Sequence, residues 1–228
     1  SLYLKLNRLF KGFIPGQHLA LTLPCKGVLQ SRSFSLSQAP GTGGVLRLTI
    51  KLKAEGVLSQ AVGKLKRGAV VRLSQAGGTF THARPERGVL MLSAGSGITP
   101  MIAMLQDWAK HDTRPDVLMI HSCRDEADWI LREDLRTLVH QWPALQVQLH
   151  YSAANGHLDA ERLSAWVPDL DSRQAYLCGP DTLKSWVSDL YQQRGISQNL
   201  KQEDYRQLRF TVQPEAARYT VHRSQGQP

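Results

Sequence analysis

The sequence has few cysteines and no long apolar run, and each of these absences excludes a class of protein. The three cysteines, Cys25, Cys123 and Cys178, are odd in number and far apart, so they match neither a disulfide framework nor a CxxC metal site. No stretch of about 18 apolar residues occurs, and the N-terminal SLYLKLNRLF carries charges where a signal peptide needs an unbroken apolar stretch. We therefore expect a cytoplasmic protein with no membrane span and no structural metal.

Acidic residues are also scarce. There are 19 Asp and Glu against 28 Lys and Arg, which gives a net charge of +9 at pH 7. Basic residues cluster between Lys51 and Arg72, but the aromatic residues that would stack nucleobases are not interleaved with them. We therefore expect no nucleic-acid partner. Three interpretations of the basic cluster stay open: a solvated face, a face that contacts a membrane surface, and a docking face for an acidic protein.

The chain shows two different patterns, and at 228 residues it is long enough for two domains. Residues 1–80 contain short β-rich runs separated by Pro and Gly turns, which predict a small antiparallel β-barrel. Further on, apolar strands alternate with helical stretches, which predicts a parallel sheet with helices on its faces. We place the barrel at 1–84, the α/β domain at 87–205, and a tail that fits neither at 206–228.

Two segments of the predicted barrel could bind an anionic ligand. In Arg32-Ser33-Phe34-Ser35 the alternation sends Arg32 and Phe34 to one face and the two serines to the other. An arginine suits a diphosphate, an aromatic ring suits a flat heterocycle, and a serine can hydrogen-bond a ring nitrogen. The segment Gly56-Val57-Leu58-Ser59 opens a predicted helix whose first N–H groups suit an anion. Taken singly, the two segments are also consistent with an ordinary edge strand and an unoccupied helix start.

The α/β half has two glycine turns at strand ends. The run Ala94-Gly95-Ser96-Gly97-Ile98-Thr99-Pro100 lies between an apolar strand and an apolar helix, the context of a dinucleotide-phosphate loop. The glycines would let the backbone approach a pyrophosphate, and Pro100 replaces a third glycine at the first helical position. Cys178-Gly179-Pro180 closes a later strand and should line the same crevice. Cys178 is equally consistent with a buried small hydrophobic residue.

In this order and spacing, the motifs RSFS, GVLS, GTF, AGSGITP and CGP resemble the ferredoxin-NADP reductase superfamily over nearly the whole chain. Among its members, the chain is most similar to the reductase components of oxygenases and desaturases. The resemblance implies a flavoprotein that passes electrons from NAD(P)H through FAD to another redox centre.

The resemblance also implies a role for each motif. Arg32, with Ser33 beside it, would bind the FAD pyrophosphate, Phe34 would pack against the flavin, and Ser35 would hydrogen-bond near flavin N5 during catalysis. The other implied sites are the FAD pyrophosphate turn, Gly56, Val57, Leu58 and Ser59; the NAD(P) loop, Gly95, Ser96, Gly97, Ile98 and Thr99; and the nicotinamide crevice, Cys178, Gly179 and Pro180, with Cys178 as a second catalytic residue.

The choice of nucleotide should be decided after the second strand of the α/β domain. There, Ser122 and Arg124 could receive a 2′-phosphate, whereas an acidic residue favours a ribose hydroxyl. We expect NADPH. NADH stays open because Asp125 is adjacent and because NADH-using relatives also have an arginine at this position.

The sequence has no Cys-x4-Cys-x2-Cys run for a plant-type 2Fe-2S cluster, yet the tail ARYTVHRS resembles the strand that opens such a domain. We therefore expect the electron acceptor to be a ferredoxin-type iron-sulfur centre. It would lie either in a domain of this chain that was removed by truncation or in a separate protein. We expect that centre to pass electrons to an oxygenase or desaturase. Two alternatives stay open. One is a free-standing ferredoxin or flavodoxin reductase, and the other is a non-catalytic regulatory subunit that binds the cofactors.

Overall fold

The chain is divided into two units, each built on its own β-sheet. The computed structural model describes residues 1–41, 43–82, 85–203 and 218–223. The first unit runs to Thr81 and also contains the C-terminal strand, and the second unit is His82–Glu203. The first sheet is antiparallel throughout and the second is parallel throughout. The predicted fold class, an antiparallel barrel followed by a parallel α/β domain, is confirmed.

The first unit is a six-stranded barrel with leucines in its core. Its elements are β1 Leu2–Lys5, β2 His18–Cys25, β3 Val28–Ser35, β4 Val45–Leu48, helix α1 Val57–Lys64, β5 Val70–Leu73 and β11 Arg218–Arg223. The strand order is β3-β2-β5-β11-β1-β4, and a bridge between Leu36 and Leu48 joins the two edges. Leucines at every second position, such as Leu19, Leu21 and Leu23 of β2, are buried because alternate side chains of a strand share a face.

The C-terminal strand β11 lies within the segment that was predicted as a tail. Arg218–Arg223 pairs antiparallel with both β1 and β5, so its backbone groups are hydrogen-bonded within the barrel. These six residues therefore form part of the sheet of the first unit. The other residues of the predicted tail lie outside the described residues. The hypothesis that the strand in ARYTVHRS, residues 217–224, opens a ferredoxin-like domain stays a prediction.

The second unit is a five-stranded parallel sheet in the order β10-β9-β6-β7-β8. Its strands are β6 Val89–Ala94, β7 Val117–Cys123, β8 Gln146–Tyr151, β9 Gln174–Cys178 and β10 Leu200–Gln202, and its helices are α2 Ile98–Trp108, α3 Arg132–Gln141, α4 Ser152–Asn155, α5 Ala160–Trp166 and α6 Asp181–Gln193. Among the described residues, no helix combines the length and hydrophobicity that crossing a membrane requires.

Helices cover both faces of this sheet. On one face, Leu90, Leu92 and Leu177 pack with residues of α5 and α6. On the other, Trp108 of α2 makes an edge contact with Tyr176, whose ring points away from Leu177 because neighbouring residues of a strand face opposite sides. Both layers are apolar, which explains why the strands read as nearly continuous hydrophobic runs.

Candidate functional site

The arginine-aromatic motif lies on β3, the strand that pairs with β2. The pairing sets Arg32 opposite Leu21 and Phe34 opposite Leu19, so both side chains share the face of the core leucines. Phe34 is half-buried against that core, while Arg32 is exposed and donates from Nη1 to the Ser31 carbonyl at 2.7 Å. Within the described residues no other hydrogen bond of the Arg32 guanidinium is found, which leaves donors for a phosphate.

The serines of the motif face the opposite side of β3. Ser33 lies opposite Ala20 and Ser35 opposite His18, and Ser35 is buried. His18 also packs on the glycine turn after β5, because a Cβ added to Gly78 would lie 2.8 Å from its Cε1 atom. Gly78 has a φ of +102°, a conformation that favours glycine. The end of β3, the start of β2 and this turn are therefore neighbours.

The backbone that follows the motif is fixed by a residue that sequence analysis missed. Arg47 of β4 is buried and donates from Nε to the Ser37 carbonyl at 2.9 Å, with Nη2 bonded to the same oxygen. The Ser37 hydroxyl in turn donates to the Arg47 carbonyl at 3.2 Å. In the sequence, Arg47 lies between Leu46 and Leu48, and this alternation of apolar and charged residues predicts that Arg47 faces solvent. No local pattern therefore predicts its burial.

The second predicted phosphate segment begins helix α1, which contacts both β2 and β3. Within the part of the chain that the structure describes, no side chain caps this helix at Gly56, so its first N–H groups, those of Val57, Leu58 and Ser59, could donate to an acceptor. The Ser59 hydroxyl is turned into the preceding loop, where it donates to the Gly56 carbonyl at 2.9 Å. A phosphate at this position would therefore be bound by backbone N–H groups rather than by the serine side chain.

The glycine loop of the second unit follows β6 and leads into α2. Gly95 has a φ of +53°, and a Cβ placed there would meet nothing within 4 Å. Ser96 is exposed, whereas Ile98 and Thr99 are buried, and the Thr99 hydroxyl donates to the Ser96 carbonyl at 3.0 Å. The open side of the loop is therefore formed by Gly95 and Ser96, while Ile98 and Thr99 hold its shape.

Gly97 has a different role from Gly95. A Cβ on Gly97 would lie 2.0 Å from the Cys178 carbonyl oxygen, so this position allows only glycine. A Cβ on Gly179 would lie 3.3 Å from the Cβ of Ala94. The structure thus brings the two predicted turns together, but Gly97 serves their packing rather than access to a ligand.

Cys178 is buried, with 1% of its surface exposed, whereas Gly179 is half-buried and Pro180, which precedes α6, is exposed. The burial of Cys178 therefore favours the interpretation of its side chain as a small core residue. What Cys178 offers to the neighbouring loop is its backbone carbonyl, which faces Gly97.

The residues predicted to select the nucleotide lie at the end of β7, beside the glycine loop. Ser122 pairs with Ala94 of β6, and Arg124 is 78% exposed. Asp125 is engaged by its own loop, because its Oδ1 accepts from the Asp128 N–H at 2.9 Å and its Oδ2 lies 3.8 Å from Arg124 Nε. This arrangement turns the acidic group towards the loop and leaves Ser122 and Arg124 as the candidates for a 2′-phosphate.

Two further residues, both missed by sequence analysis, adjoin Ser122. Its Oγ lies 3.0 Å from Nδ1 of His150 on β8, and Nε2 of His150 lies 3.1 Å from Nη1 of Arg162 on α5. Burial lowers the pKa of His150 below its usual value, and the charge of Arg162 lowers it further. Arg162 is 40 residues beyond Ser122 in the sequence, so only the fold brings them together.

A second histidine lies on the other face of the same sheet. The Nδ1 atom of His121 is 2.9 Å from Ser93 Oγ, and both side chains are fully buried. Burial lowers the pKa of His121 to about 4, against the opposing effect of a hydrogen bond with Ser93. His121 is therefore a neutral core residue that joins β6 to β7 directly below the loop.

Both units fit the cofactors that the sequence implies. The first offers an exposed guanidinium and an uncapped helix start, which suit a diphosphate. The second offers an open glycine loop at the carboxyl ends of parallel strands, where nucleotides bind in such sheets.

Comparison with known proteins supports the same assignment. Residues 1–82 match the oxidoreductase FAD-binding domain and residues 91–189 match the oxidoreductase NAD-binding domain. An NADPH oxidoreductase of Mycobacterium tuberculosis is 33% identical over 84% of this chain and 52% of its own length. The ferredoxin reductase component of a 3-ketosteroid-9-alpha-monooxygenase from Rhodococcus rhodochrous is 30% identical over 73% of this chain and 48% of its own length. The chain thus spans about half of these relatives.

A solved structure shows the same architecture. The FAD/NAD-binding domain of nitric oxide dioxygenase from Vibrio cholerae aligns with a TM-score of 0.75 at 25% identity, over 85% of this chain and 86% of that one. The predicted FAD and NAD(P)H cofactors are therefore confirmed at the level of the two domains. Because both domain families match in sequence and fold, the chain belongs to the ferredoxin-NADP reductase superfamily.

Proposed function

We propose that this chain is the reductase part of an electron-transfer system, with NADPH as donor, FAD as carrier and a ferredoxin-type iron-sulfur protein or domain as acceptor. The observation that carries the proposal is the presence of an FAD-binding and an NAD-binding domain in one chain. Bound FAD would supply the chemistry of hydride transfer from the nicotinamide and of single-electron release. The protein supplies binding and orientation, and this step requires no general acid or base from the chain.

In the first unit, we assign flavin binding to the motif on β3 and the start of α1. The Arg32 fork and the N–H groups of Val57, Leu58 and Ser59 hold the pyrophosphate. Gly56 allows the turn that leads into α1, because a Cβ there would lie 2.3 Å from Ser59 Oγ. Phe34 supports the ring system, Ser33 lies beside it, and Ser35 donates a hydrogen bond near the reacting nitrogen.

In the second unit, we assign NADPH binding to the glycine loop and the end of β7. Gly95 and Ser96 present backbone and hydroxyl groups to the pyrophosphate, and Gly97, Ile98 and Thr99 fix the loop. Gly179 and Pro180, with the backbone of Cys178, bound the nicotinamide end. Ser122 and Arg124 receive the 2′-phosphate, because Asp125 is engaged within its loop.

The acceptor is proposed from two observations. A relative that is 30% identical is named as the ferredoxin reductase component of a monooxygenase. In addition, six cations of the first unit are all exposed, Lys51, Lys53, Lys64, Lys66, Arg67 and Arg72, and this concentration of exposed positive charge suits an acidic partner. An oxygenase or desaturase would consume the electrons downstream. Three free thiols and the use of NADPH are consistent with a cytoplasmic location.

The test compares acceptors with the purified protein. We expect NADPH-dependent reduction of ferricyanide by the protein alone, slow reduction of cytochrome c, and faster reduction of cytochrome c after an acidic 2Fe-2S ferredoxin is added. The ferredoxin-dependent rate should fall as salt rises, because exposed charges are screened over ~10 Å at 0.1 M ionic strength. Fast cytochrome c reduction without ferredoxin, unaffected by salt, would contradict the proposed acceptor.

A free-standing reductase for a soluble ferredoxin or flavodoxin is distinguished by the same assay. Such an enzyme would reduce cytochrome c equally well when flavodoxin replaces ferredoxin. A non-catalytic regulatory subunit would bind FAD and NADPH but reduce none of these acceptors.

A further inference from the structure

A hydrogen-bonded chain of three side chains runs from α5 to the end of β7. Arg162 Nη1 lies 3.1 Å from His150 Nε2, and His150 Nδ1 lies 3.0 Å from Ser122 Oγ. The two strands are adjacent, and Ser122 pairs directly with His150. Because paired residues share a face, both point to the side of the sheet that α5 covers, where the His150 ring also contacts Trp166.

The chemistry of the three groups fixes the direction of every hydrogen bond. A guanidinium can only donate, so Nε2 of His150 must accept and the imidazole must be neutral with its proton on Nδ1. Nδ1 therefore donates, and Ser122 Oγ accepts. The Ser122 hydroxyl proton then has to point away from His150, towards an acceptor outside the chain of three.

The surroundings of His150 are consistent with a neutral imidazole. Besides Arg162, the ionisable groups that act on it are Asp159, which precedes α5, and His157. Burial, Arg162 and His157 lower the pKa of His150, whereas Asp159 raises it. The Asp159 carboxylate accepts the backbone N–H of Arg162 at 2.8 Å, so it caps α5 and fixes the position of Arg162 as well.

Ser122 lies close to the predicted nucleotide site, so the direction of its hydroxyl proton can affect nucleotide binding. Ser122 is half-buried and pairs with Ala94, the last residue before the glycine loop. The neighbouring loops are tied together because the Ala153 N–H donates to the Arg124 carbonyl at 2.9 Å. A ribose 2′-hydroxyl can donate or accept, but a phosphate oxygen can only accept, so a serine fixed as a donor favours the phosphate.

On the basis of the NADPH-dependent function proposed above, we propose that His150 and Arg162 are positioning residues for nucleotide choice: they fix Ser122 as a hydrogen-bond donor to the 2′-phosphate of NADPH. Neither residue needs to touch the nucleotide. Arg162 acts through His150, and His150 acts through Ser122. A purely structural role, in which the His150 ring packs against Trp166, explains why His150 is buried. It does not explain why His150 is hydrogen-bonded to Arg162, whose guanidinium can only donate.

The test measures binding, so it does not depend on turnover. Calorimetry with the flavin-loaded protein compares adenosine 2′,5′-bisphosphate with AMP, two ligands that differ only in the 2′-phosphate. We expect the wild-type protein to bind the bisphosphate at least about tenfold more tightly, the size of one charge-assisted hydrogen bond. Ser122→Ala, His150→Phe and Arg162→Met should each reduce this preference by about the same factor, whereas Arg162→Lys should retain more of it than Arg162→Met.

Three further results decide between mechanisms. The double variant Ser122→Ala/Arg162→Met should lose no more than Ser122→Ala alone, because residues of one chain are not additive. Arg136→Met, which removes an exposed arginine from α3, is the matched control and should bind both ligands like the wild type.

If Arg162→Met abolishes the preference while His150→Phe keeps it, Arg162 acts by its charge alone and the proposal is overturned. Arg162 is half-exposed, so its variants test the chain even if His150→Phe fails to fold.

Failure of this inference can be told apart from failure of the proposed function. Equal binding of both ligands by the wild-type protein would overturn the inference, while flavin reduction by NADH would still support a reductase. Loss of flavin reduction with either nucleotide would contradict the proposed function, whatever the ligand preference.

Discussion

At the scale of single residues, the candidate sites depend on a few side chains whose donors are directed by their neighbours. Arg32 is exposed, and among the residues that the structure describes its guanidinium donates one hydrogen bond, to the carbonyl of its neighbour Ser31. Arg47, by contrast, donates to the Ser37 carbonyl and so stabilises the backbone that follows the motif on β3. An exposed arginine with unused donors is suited to a ligand, and a buried arginine with two bonds to one carbonyl is suited to structure.

Replacement of Arg32 tests the flavin site. We expect Arg32→Ala to weaken FAD binding by about tenfold to a hundredfold, because each charge-assisted hydrogen bond contributes ~1.5–3 kcal/mol. Arg32→Lys should recover only part of the affinity, since an ammonium cannot reproduce the fork. The measurement is the ratio of flavin to protein after purification and the Kd from fluorescence titration. Arg8→Ala, at another exposed arginine of the same unit, is the control, and an Arg32→Ala protein with full flavin would refute the assignment.

At the scale of secondary-structure elements, the second unit depends on the contact between the glycine loop and the end of β9. Gly97→Ala would place a Cβ 2.0 Å from the Cys178 carbonyl, and neither backbone segment can move without disturbing the sheet. Overpacking of this kind costs about 1–3 kcal/mol. We expect urea denaturation to show that loss together with weaker nucleotide binding. Gly195→Ala, where a Cβ meets nothing within 4 Å and only the φ of +69° opposes it, is the control and should keep nucleotide binding.

The buried His121, which joins β7 to β6, predicts how the free energy of unfolding depends on pH. His121 has a pKa lowered to about 4 in the folded state by burial, whereas in the unfolded chain its pKa is near 6.5. The unfolded state therefore binds the proton more readily, so stability is complete above about pH 6.5 and falls as the pH drops towards 4, by up to ~3 kcal/mol. Urea denaturation of wild type and His121→Gln from pH 7.5 to 4 measures this, and His121→Gln should show a smaller decline. Equal declines in the two proteins would contradict a neutral buried His121.

Sequence patterns predicted the elements well because the patterns are local. Alternating leucines such as Leu19 and Leu21 predicted the barrel strands, and the glycine turn between an apolar strand and an apolar helix predicted the loop at Gly95. What the sequence did not predict depends on contacts between distant residues. The pairing of β11 with β1 and the approach of Arg162 to His150 require the complete fold, and neither has a local signature.

At the scale of the whole molecule, two domains with different cofactors occupy one basic chain. The net charge of +9 and the exposed cations of the first unit favour an acidic electron acceptor, while the fold itself does not specify one. The FAD/NAD-binding domain of nitric oxide dioxygenase from Vibrio cholerae has the same architecture, so the fold alone does not identify the acceptor.

The most direct test of the proposed function is anaerobic stopped-flow reduction of the bound flavin by NADPH. We expect the flavin absorbance to bleach in a single phase whose rate saturates with NADPH, and to bleach at the same limiting rate but lower apparent affinity with NADH. Ser35→Ala should retain stoichiometric FAD and bleach more slowly, because a hydrogen bond beside the reacting nitrogen contributes more to the transition state than to flavin affinity. A flavin-loaded protein whose absorbance does not change with either nucleotide would contradict the proposal that this chain is a reductase.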